Sequence, residues 1–405
     1  MFVRSRPPIL CARLLCLSQR PRCYSRHATF SSYFFNNQQW STPVAPLDVT
    51  THPPITAHKR RAPASLHGTL RIYAQLSKSR LSTLIVLTSM LGVALSPFPV
   101  SVPTLLATAA GTGFCSAAAN TFNQIQEVPF DAQMARTRAR PLVRRAVSPF
   151  HAAAFGTACT IAGPLLLATA VNPTTAALGA ANIVLYAGVY THMKRTSIWN
   201  TWVGSVVGGI PPLMGWTACG GHLFGAHGLD FSTLFLPFSS APLDLSLIDN
   251  PLAPLALFSL LFSWQFPHFN PLAYIVRDSY AQAGYRMISV LDPKKNALVA
   301  LRHAVLLTFP ISTVLFPLSG LTTWAFAITS LVPNLYCLRQ SWRFYKHGSE
   351  ANARSLFHAC IAYLPIIMGL MMFHKQGMDW SAWFKEKLGW TPEKEQSAES
   401  HERNN

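Results

Sequence analysis

From Leu81 onward the chain is a succession of apolar segments, each close to the roughly 20 residues that a helix needs to cross a bilayer. They fall near 81–98, 103–124, 146–169, 173–191, 199–217, 252–271, 297–316, 320–338 and 355–373. A segment in lipid must satisfy its backbone hydrogen bonds internally, so segments of this length are read as helices. The fold class expected is an all-α polytopic membrane protein with about nine transmembrane helices. Pro164, Gly208-Gly209, Pro211-Pro212, Pro310 and Pro333 interrupt them, which membrane bundles tolerate because neighbouring helices satisfy the freed groups.

Charge asymmetry tests this count. With nine crossings, one side carries Lys78, Arg80, the arginines from 136 to 145, Lys194, Arg195, Arg277, Arg286, Lys294, Lys295, Arg339, Arg343, Lys346 and Arg354. The opposite short loops carry no Lys or Arg, and the long connection from about 217 to 251 carries Asp230, Asp244 and Asp249. A partition of this kind orients a multi-pass protein, with the basic side in the matrix if the membrane is the mitochondrial inner one. The formal charge of +18 is thereby read as topology and targeting, and nucleic-acid binding is excluded because no basic patch with interleaved aromatics stands on a soluble domain.

Residues 1–47 contain Arg4, Arg6, Arg13, Arg20, Arg22 and Arg26 among Ser, Cys and Leu, with no acid before Asp48. That is the composition of a mitochondrial transit peptide, with Arg22-Cys23-Tyr24-Ser25 as a candidate cleavage context; a basic disordered tail is the competing reading. Residues 48–70 read as a linker, 71–373 as the membrane domain and 374–405 as a C-terminal tail of mixed charge. The eight cysteines lack metal or disulfide spacing, so the membrane thiols are expected to be buried and free.

Chemistry collects on the basic side. Asn123, Glu127 and Asp131 stand four residues apart, so a helix turns them by only about 40° per step and aligns their oxygens. Hard cations such as Mg²⁺ take carboxylate, water and phosphate oxygens. Arg136, Arg138 and Arg140 follow at once, and guanidinium groups match phosphate oxygens in fixed forks. Together they suggest a diphosphate held through a metal and by direct charge pairing. Pro129 falls inside the ladder, so the helix is expected to kink or end there and Asp131 to approach from a loop.

Two further loops add candidates. Lys194 and Arg195 precede Asn200 and a helix rich in Gly and Pro, where interface anchoring is the competing reading. Trp264-Gln-Phe-Pro-His268-Phe-Asn270 leads into Arg277-Asp278-Ser279-Tyr280, a polar run that is expensive unless it faces water, a partner or a substrate. His268 is either a hydrogen-bonded interface histidine or a group facing the cavity, and Asp278 either ligates a second cation or holds Arg277.

The run Asn123-x3-Glu127-x3-Asp131-x2-Met134-x-Arg136-Thr137-x2-Arg140-Pro141-Leu142 resembles the first signature of the UbiA-type intramembrane prenyltransferases, in the form carried by the branch that farnesylates protohaem IX. Tyr73-x4-Lys78-x-Arg80-Leu, Tyr190-Thr-x3-Lys194-Arg195 and Trp264-Gln-Phe-Pro-His268 leading to Tyr280 agree with it. The resemblance spans about 70 to 300, and the helix pattern carries it to about 373. It implies a UbiA-type bundle around a central cavity and an Mg²⁺-dependent transfer of the farnesyl group of farnesyl diphosphate to haem b. By position it implies Asn123, Glu127 and Asp131 as metal ligands, with His268 and Asp278 as further catalytic candidates. Lys78, Arg80, Arg136, Arg140, Lys194, Arg195, Arg277 and Tyr280 become candidates for the diphosphate. It departs from the family in one place: the acid expected beside Tyr280 is replaced by Ser279 and stands one residue earlier, a rotation of about 100° on a helix. The implied partners are farnesyl diphosphate, haem b and the lipid bilayer, with a haem A-forming enzyme and a homo-oligomer as further expectations. A hydroxybenzoate- or quinone-type prenyltransferase and a non-enzymatic anion carrier stay open as alternatives; a carrier is disfavoured because the chain shows no clear internal repeat.

Overall fold

A computed structural model describes residues 65–223 and 250–378. The transit peptide, most of the linker, the middle of the 217–251 connection and the tail beyond 378 lie outside the described residues. The described chain is helical: α1 (Leu66–Leu76), α2 (Ser79–Leu95), α3 (Val102–Asp131), α4 (Pro149–Ala170), α5 (Pro173–Ile183), α6 (Thr191–Thr196), α7 (Asn200–Ala218), α8 (Leu252–Ile275), α9 (Arg277–Gln282), α10 (Ile288–Leu291), α11 (Pro293–Leu318), α12 (Trp324–Thr329), α13 (Leu331–His347) and α14 (Glu350–Phe373). α1 starts inside the stretch read as linker, because Ser65 caps it through its side chain on the Gly68 amide.

Each expected apolar segment falls on helix, but length and composition qualify fewer of them as spans. Among the described residues four helices are long and apolar enough, α3, α4, α11 and α14, and a fifth if α1 and α2, bent by 57°, form one broken span. The expected number, about nine, is not reached by this measure. The segments near 199–217 and 252–271 are diluted by Asn200, the paired glycines and prolines, Gln265, His268 and Asn270, and that near 320–338 divides at Ser330 between α12 and α13. The outer surface is apolar, with Leu84, Leu106, Ile161, Leu165, Ile328 and Val332 exposed, which suits lipid and not water.

α2, α3, α4, α5 and α7 pack together, and α8, α11, α13 and α14 form a second group that meets the first where α7 lies on α8. Prolines interrupt some helices and not others: Pro310 lies where α11 winds as a π-helix over Leu307–Leu315. α7 runs unbroken through Pro211 and Pro212, and α3 runs through Pro129 to Asp131. Between α5 and α6, Val184–Tyr190 winds as a π-helix, closed by Thr191, whose backbone N–H and hydroxyl both donate to the Tyr186 carbonyl.

α2 and α7 cross with backbones almost touching. A Cβ at Gly215 would lie 1.9 Å from the Ser89 carbonyl oxygen, and one at Gly92 would lie 2.1 Å from that of Pro212. Both obstacles are backbone, so neither can rotate away. Gly215→Ala is accordingly expected to cost about 1–3 kcal/mol or more, read as a lowered melting temperature of the solubilised protein.

Candidate active site

The ladder forms on the last turns of α3. Asn123, Glu127 and Asp131 are 0%, 5% and 1% exposed, so all three face the interior despite the proline between them. The expectation that Asp131 approaches from a loop is corrected: it is the final residue of the helix. Pro129 lacks only the N–H that would bond Ile125, a loss that a helix end tolerates more readily than a helix middle.

Each ladder residue meets a cation from another element. Lys78 sits at the joint between α1 and α2 with φ +49°, a left-handed conformation that costs a non-glycine residue about 1–2 kcal/mol. From there its Nζ donates to Asn123 Oδ1 at 2.8 Å, while Asn123 Nδ2 donates to Thr191 Oγ1 at 3.0 Å. Lysine can only donate, which fixes the amide's orientation. Lys194 Nζ donates to Glu127 Oε1 at 2.6 Å, and Arg140 Nη1 lies 3.4 Å from Glu127 Oε2 and pairs with Asp131 Oδ2. Asp131 Oδ1 is buried and has no hydrogen-bond partner. Burial pulls the Lys194 pKa down, but the Glu127 carboxylate more than offsets this and holds it above its ordinary value.

Arg140 reaches the ladder through a run of tight turns after α3. Thr137 Oγ1 donates to the Asp131 carbonyl at 3.0 Å, and Arg144 Nη2 donates to Gln75 Oε1 at 2.7 Å, tying the run to α1. The other arginines point elsewhere. Arg80, Arg136 and Arg138 are exposed, and Arg195 lies over the Phe130 ring at 5.0 Å.

The second polar run contributes little to this cluster. Arg277 donates to the Tyr274 carbonyl and lies 3.8 Å from Glu350, which ties it to α14. Asp278 has an 86% exposed side chain with Arg277 3.9 Å away, consistent with the rotation that its shifted position implies. Tyr280 is buried edge-on to Tyr285 in an apolar cluster with Met134 and Met287. His268 is stacked between Trp264 and Phe357, away from the ladder's hydrogen bonds. Thr191 and Tyr186 belong to the site but escape a reading by regular helical spacing, because the π-helical turn lies between them.

Arg140 and Lys194 thus pair with the two carboxylates, while Lys78, on the neutral Asn123, has its pKa lowered to about 7 by burial and by nearby Arg140, so it is a base that an arriving polyanion would charge fully. The unpartnered Asp131 oxygen and the Glu127 carboxylate are hard donors of the kind a divalent cation takes, with Asn123 as a neutral third. Membrane-ward of the ladder, α2, α3, α5 and α7 line a small, mostly apolar cavity of about 60 Å³ among Leu81, Ile85, Ala119, Tyr186, Val207 and Met214, which side chains must widen before a prenyl chain enters. A charged head site above an apolar cavity can take an amphiphile by both ends.

A relative from Pyricularia oryzae, "Protoheme IX farnesyltransferase, mitochondrial", is 46% identical over 79% of this chain and 58% of its own length. Relatives of the same name from Neurospora crassa and Homo sapiens are 40% and 42% identical, over 87% and 75% of this chain and 70% and 62% of theirs. The chain therefore spans about three fifths to seven tenths of these proteins. In fold it is similar to a digeranylgeranylglyceryl phosphate synthase (TM-score 0.57, 15% identity, 75% of this chain and 98% of that one). It is also similar to a UbiA homologue from Archaeoglobus fulgidus bound to DMAPP and Mg²⁺ (TM-score 0.50, 13% identity, 74% and 98%). Residues 85–361 match the model of the UbiA prenyltransferase family, to which the chain belongs.

Proposed function

We propose that the protein transfers the farnesyl group of farnesyl diphosphate to a vinyl group of protohaem IX, giving the hydroxyethylfarnesyl haem known as haem O. The observation that carries this reading is the cluster in which Lys78 meets Asn123, Lys194 meets Glu127 and Arg140 meets Asp131, at the head of an apolar cavity. The acceptor follows from relatives at 40–46% identity, which bear the protoheme IX farnesyltransferase name.

The mechanism follows from those side chains. In the resting site Arg140 and Lys194 are held by the carboxylates, so the diphosphate is bound by exchange: the cations turn to phosphate oxygens and free Glu127 and Asp131. Asn123, Glu127 and Asp131 would then hold Mg²⁺, as the family relative bound to DMAPP and Mg²⁺ suggests. Bound there, the metal would neutralise charge on the leaving diphosphate. Lys78, Arg140 and Lys194 stabilise the same charge as the allylic C–O bond breaks, and the mostly apolar helices around the cavity keep bulk water from the farnesyl cation. Arg80, Arg136 and Arg195 stand outside the resting cluster and serve the approach of the anion.

The protein is placed by this reading in the mitochondrial inner membrane, with the cluster toward the matrix and residues 1–47 as its transit peptide. The basic partition of the loops and the mitochondrial names of the relatives support that location. Single-turnover assay of the full chain in lipid with haem b, farnesyl diphosphate and Mg²⁺ tests the function. Haem O is expected by mass, and none without the metal; prenylation of an aromatic acid in its place would refute the haem acceptor.

A further inference from the structure

Tyr285 brings to the ladder a phenol that none of the site's hydrogen bonds uses. It follows α9 at a turn where Gly284 has φ +76°, and its backbone N–H donates to the Tyr280 carbonyl at 3.0 Å. The next residue ties this turn to α6 and α7: the Arg286 N–H donates to the Lys194 carbonyl at 2.8 Å, and Asn200 Nδ2 donates to the Arg286 carbonyl at 3.2 Å. The Tyr285 ring stands edge-on to Tyr280, with its centroid 5.5 Å from that of Phe130, the residue before Asp131. Its place is thereby set from two sides, by the helix that carries Lys194 and by the end of α3.

Tyr285 is 4% exposed, and its hydroxyl is buried without a hydrogen-bond partner among the described residues. Burial raises the phenol's pKa, the negative charges of Glu127 and Asp131 raise it further, and Arg140 opposes them. The group is therefore a protonated donor at physiological pH, within electrostatic range of Glu127, Asp131 and Arg140. Asp131 Oδ1 is likewise buried and unpartnered. A phenol and a carboxylate oxygen in contact would bond to each other, and leaving both unpaired is costly. An unpaired donor and an unpaired acceptor around one site suit a ligand that accepts from the first and reaches the second through a cation. A metal-bound diphosphate is such a ligand.

We propose that the Tyr285 hydroxyl donates a hydrogen bond to a non-bridging oxygen of the diphosphate. The inference rests on the diphosphate half of the reading above. The bond strengthens as the allylic C–O bond breaks and its electron pair leaves on the diphosphate, and the phenol keeps its proton throughout. Arg140 and Lys194 must leave carboxylates to reach the anion, whereas the Tyr285 hydroxyl has no partner to give up.

Tyr285→Phe removes one oxygen and keeps the ring against Phe130 and Tyr280. Because that oxygen has no partner in the protein, the melting temperature without ligand is expected not to fall. The turnover number for farnesyl transfer is expected to fall about tenfold to a hundredfold, and binding of inorganic diphosphate with Mg²⁺, measured by calorimetry, to weaken at least about tenfold. A purely structural role would lower the melting temperature and leave the affinity of the folded protein unchanged. A second measurement keeps the hydroxyl in place: 3-fluorotyrosine at position 285 gives a ¹⁹F resonance that is expected to move when inorganic diphosphate and Mg²⁺ are added. An affinity of Tyr285→Phe within about threefold of the original, or a ¹⁹F resonance that stays in place, overturns the proposal and leaves the transferase reading intact. If the unaltered protein binds diphosphate but makes no farnesylated haem, the transferase reading is overturned and the affinity comparison still decides the Tyr285 contact. Failure of the unaltered protein to bind diphosphate overturns both.

Discussion

Asp131→Asn is expected to lower farnesyl transfer about a thousandfold while leaving the fold in place. The substitution keeps the shape of the side chain, and the amide oxygen can still accept from Arg140, the only side chain among the described residues that is hydrogen-bonded to the carboxylate. Its other oxygen has no hydrogen-bond partner in the resting site, so little structure depends on it. The change removes a negative donor from the ladder, and Arg140 and Lys194 then share Glu127 alone. An anion should bind this site no worse than before, so the loss is expected in kcat, with KM for farnesyl diphosphate changed far less. Asp278→Asn provides the contrast: that carboxylate is 86% exposed and 3.9 Å from its nearest cation, and transfer should stay within about twofold. Steady-state kinetics of the two variants side by side decide the matter. An Asp131→Asn protein within tenfold of the original would remove Asp131 from the metal site.

The contrast between these two acids also marks how far the sequence can be read. Asn123, Glu127 and Asp131 were legible because their four-residue spacing survives in any continuous helix, and burial of all three bears out the shared face. The helical nature of the apolar segments was legible for the same reason: the hydrocarbon core leaves the backbone few alternatives. What was not legible depends on neighbours. Pro129 reads as a kink or an end of α3, yet the helix continues to Asp131. Among Arg136, Arg138 and Arg140 only Arg140 turns inward, a choice made by turns that Thr137 and Arg144 tie down and not by spacing. The π-helical turn after α5 carries no signature in Val184-Leu-Tyr-Ala-Gly-Val-Tyr190, although the placing of Thr191 beside Asn123 follows it. Thr112 and Asn182 sit inside apolar runs, where composition alone does not tell a packed polar group from one lining a cavity.

On the proposed reading Glu127 serves chemistry as well as structure, and a pair of variants separates the two. Glu127→Gln alone is expected to cost about 3–5 kcal/mol of stability together with most of the activity, because it leaves a buried ammonium without its counter-charge. Lys194 Nζ is 2.6 Å from Glu127 Oε1, with side chains only 11% and 6% exposed. The carboxylate holds the lysine's pKa above the ordinary 10.5 against the opposing effect of burial. Since the folded value stands above the unfolded one, this stabilisation is complete below pH 10.5 and is lost only as pH rises through the raised value. Adding Lys194→Met removes the stranded charge and fills its place with an unbranched apolar side chain. The double variant should therefore recover most of the lost stability, while transfer stays abolished because a ladder acid and a phosphate cation are both gone. Thermal unfolding of the solubilised single and double variants, with single-turnover transfer measured on the same samples, reads both effects. A double variant no more stable than Glu127→Gln would mean that the stranded lysine was not the cause, and that Arg140, also within 3.4 Å of Glu127, carries the structural coupling.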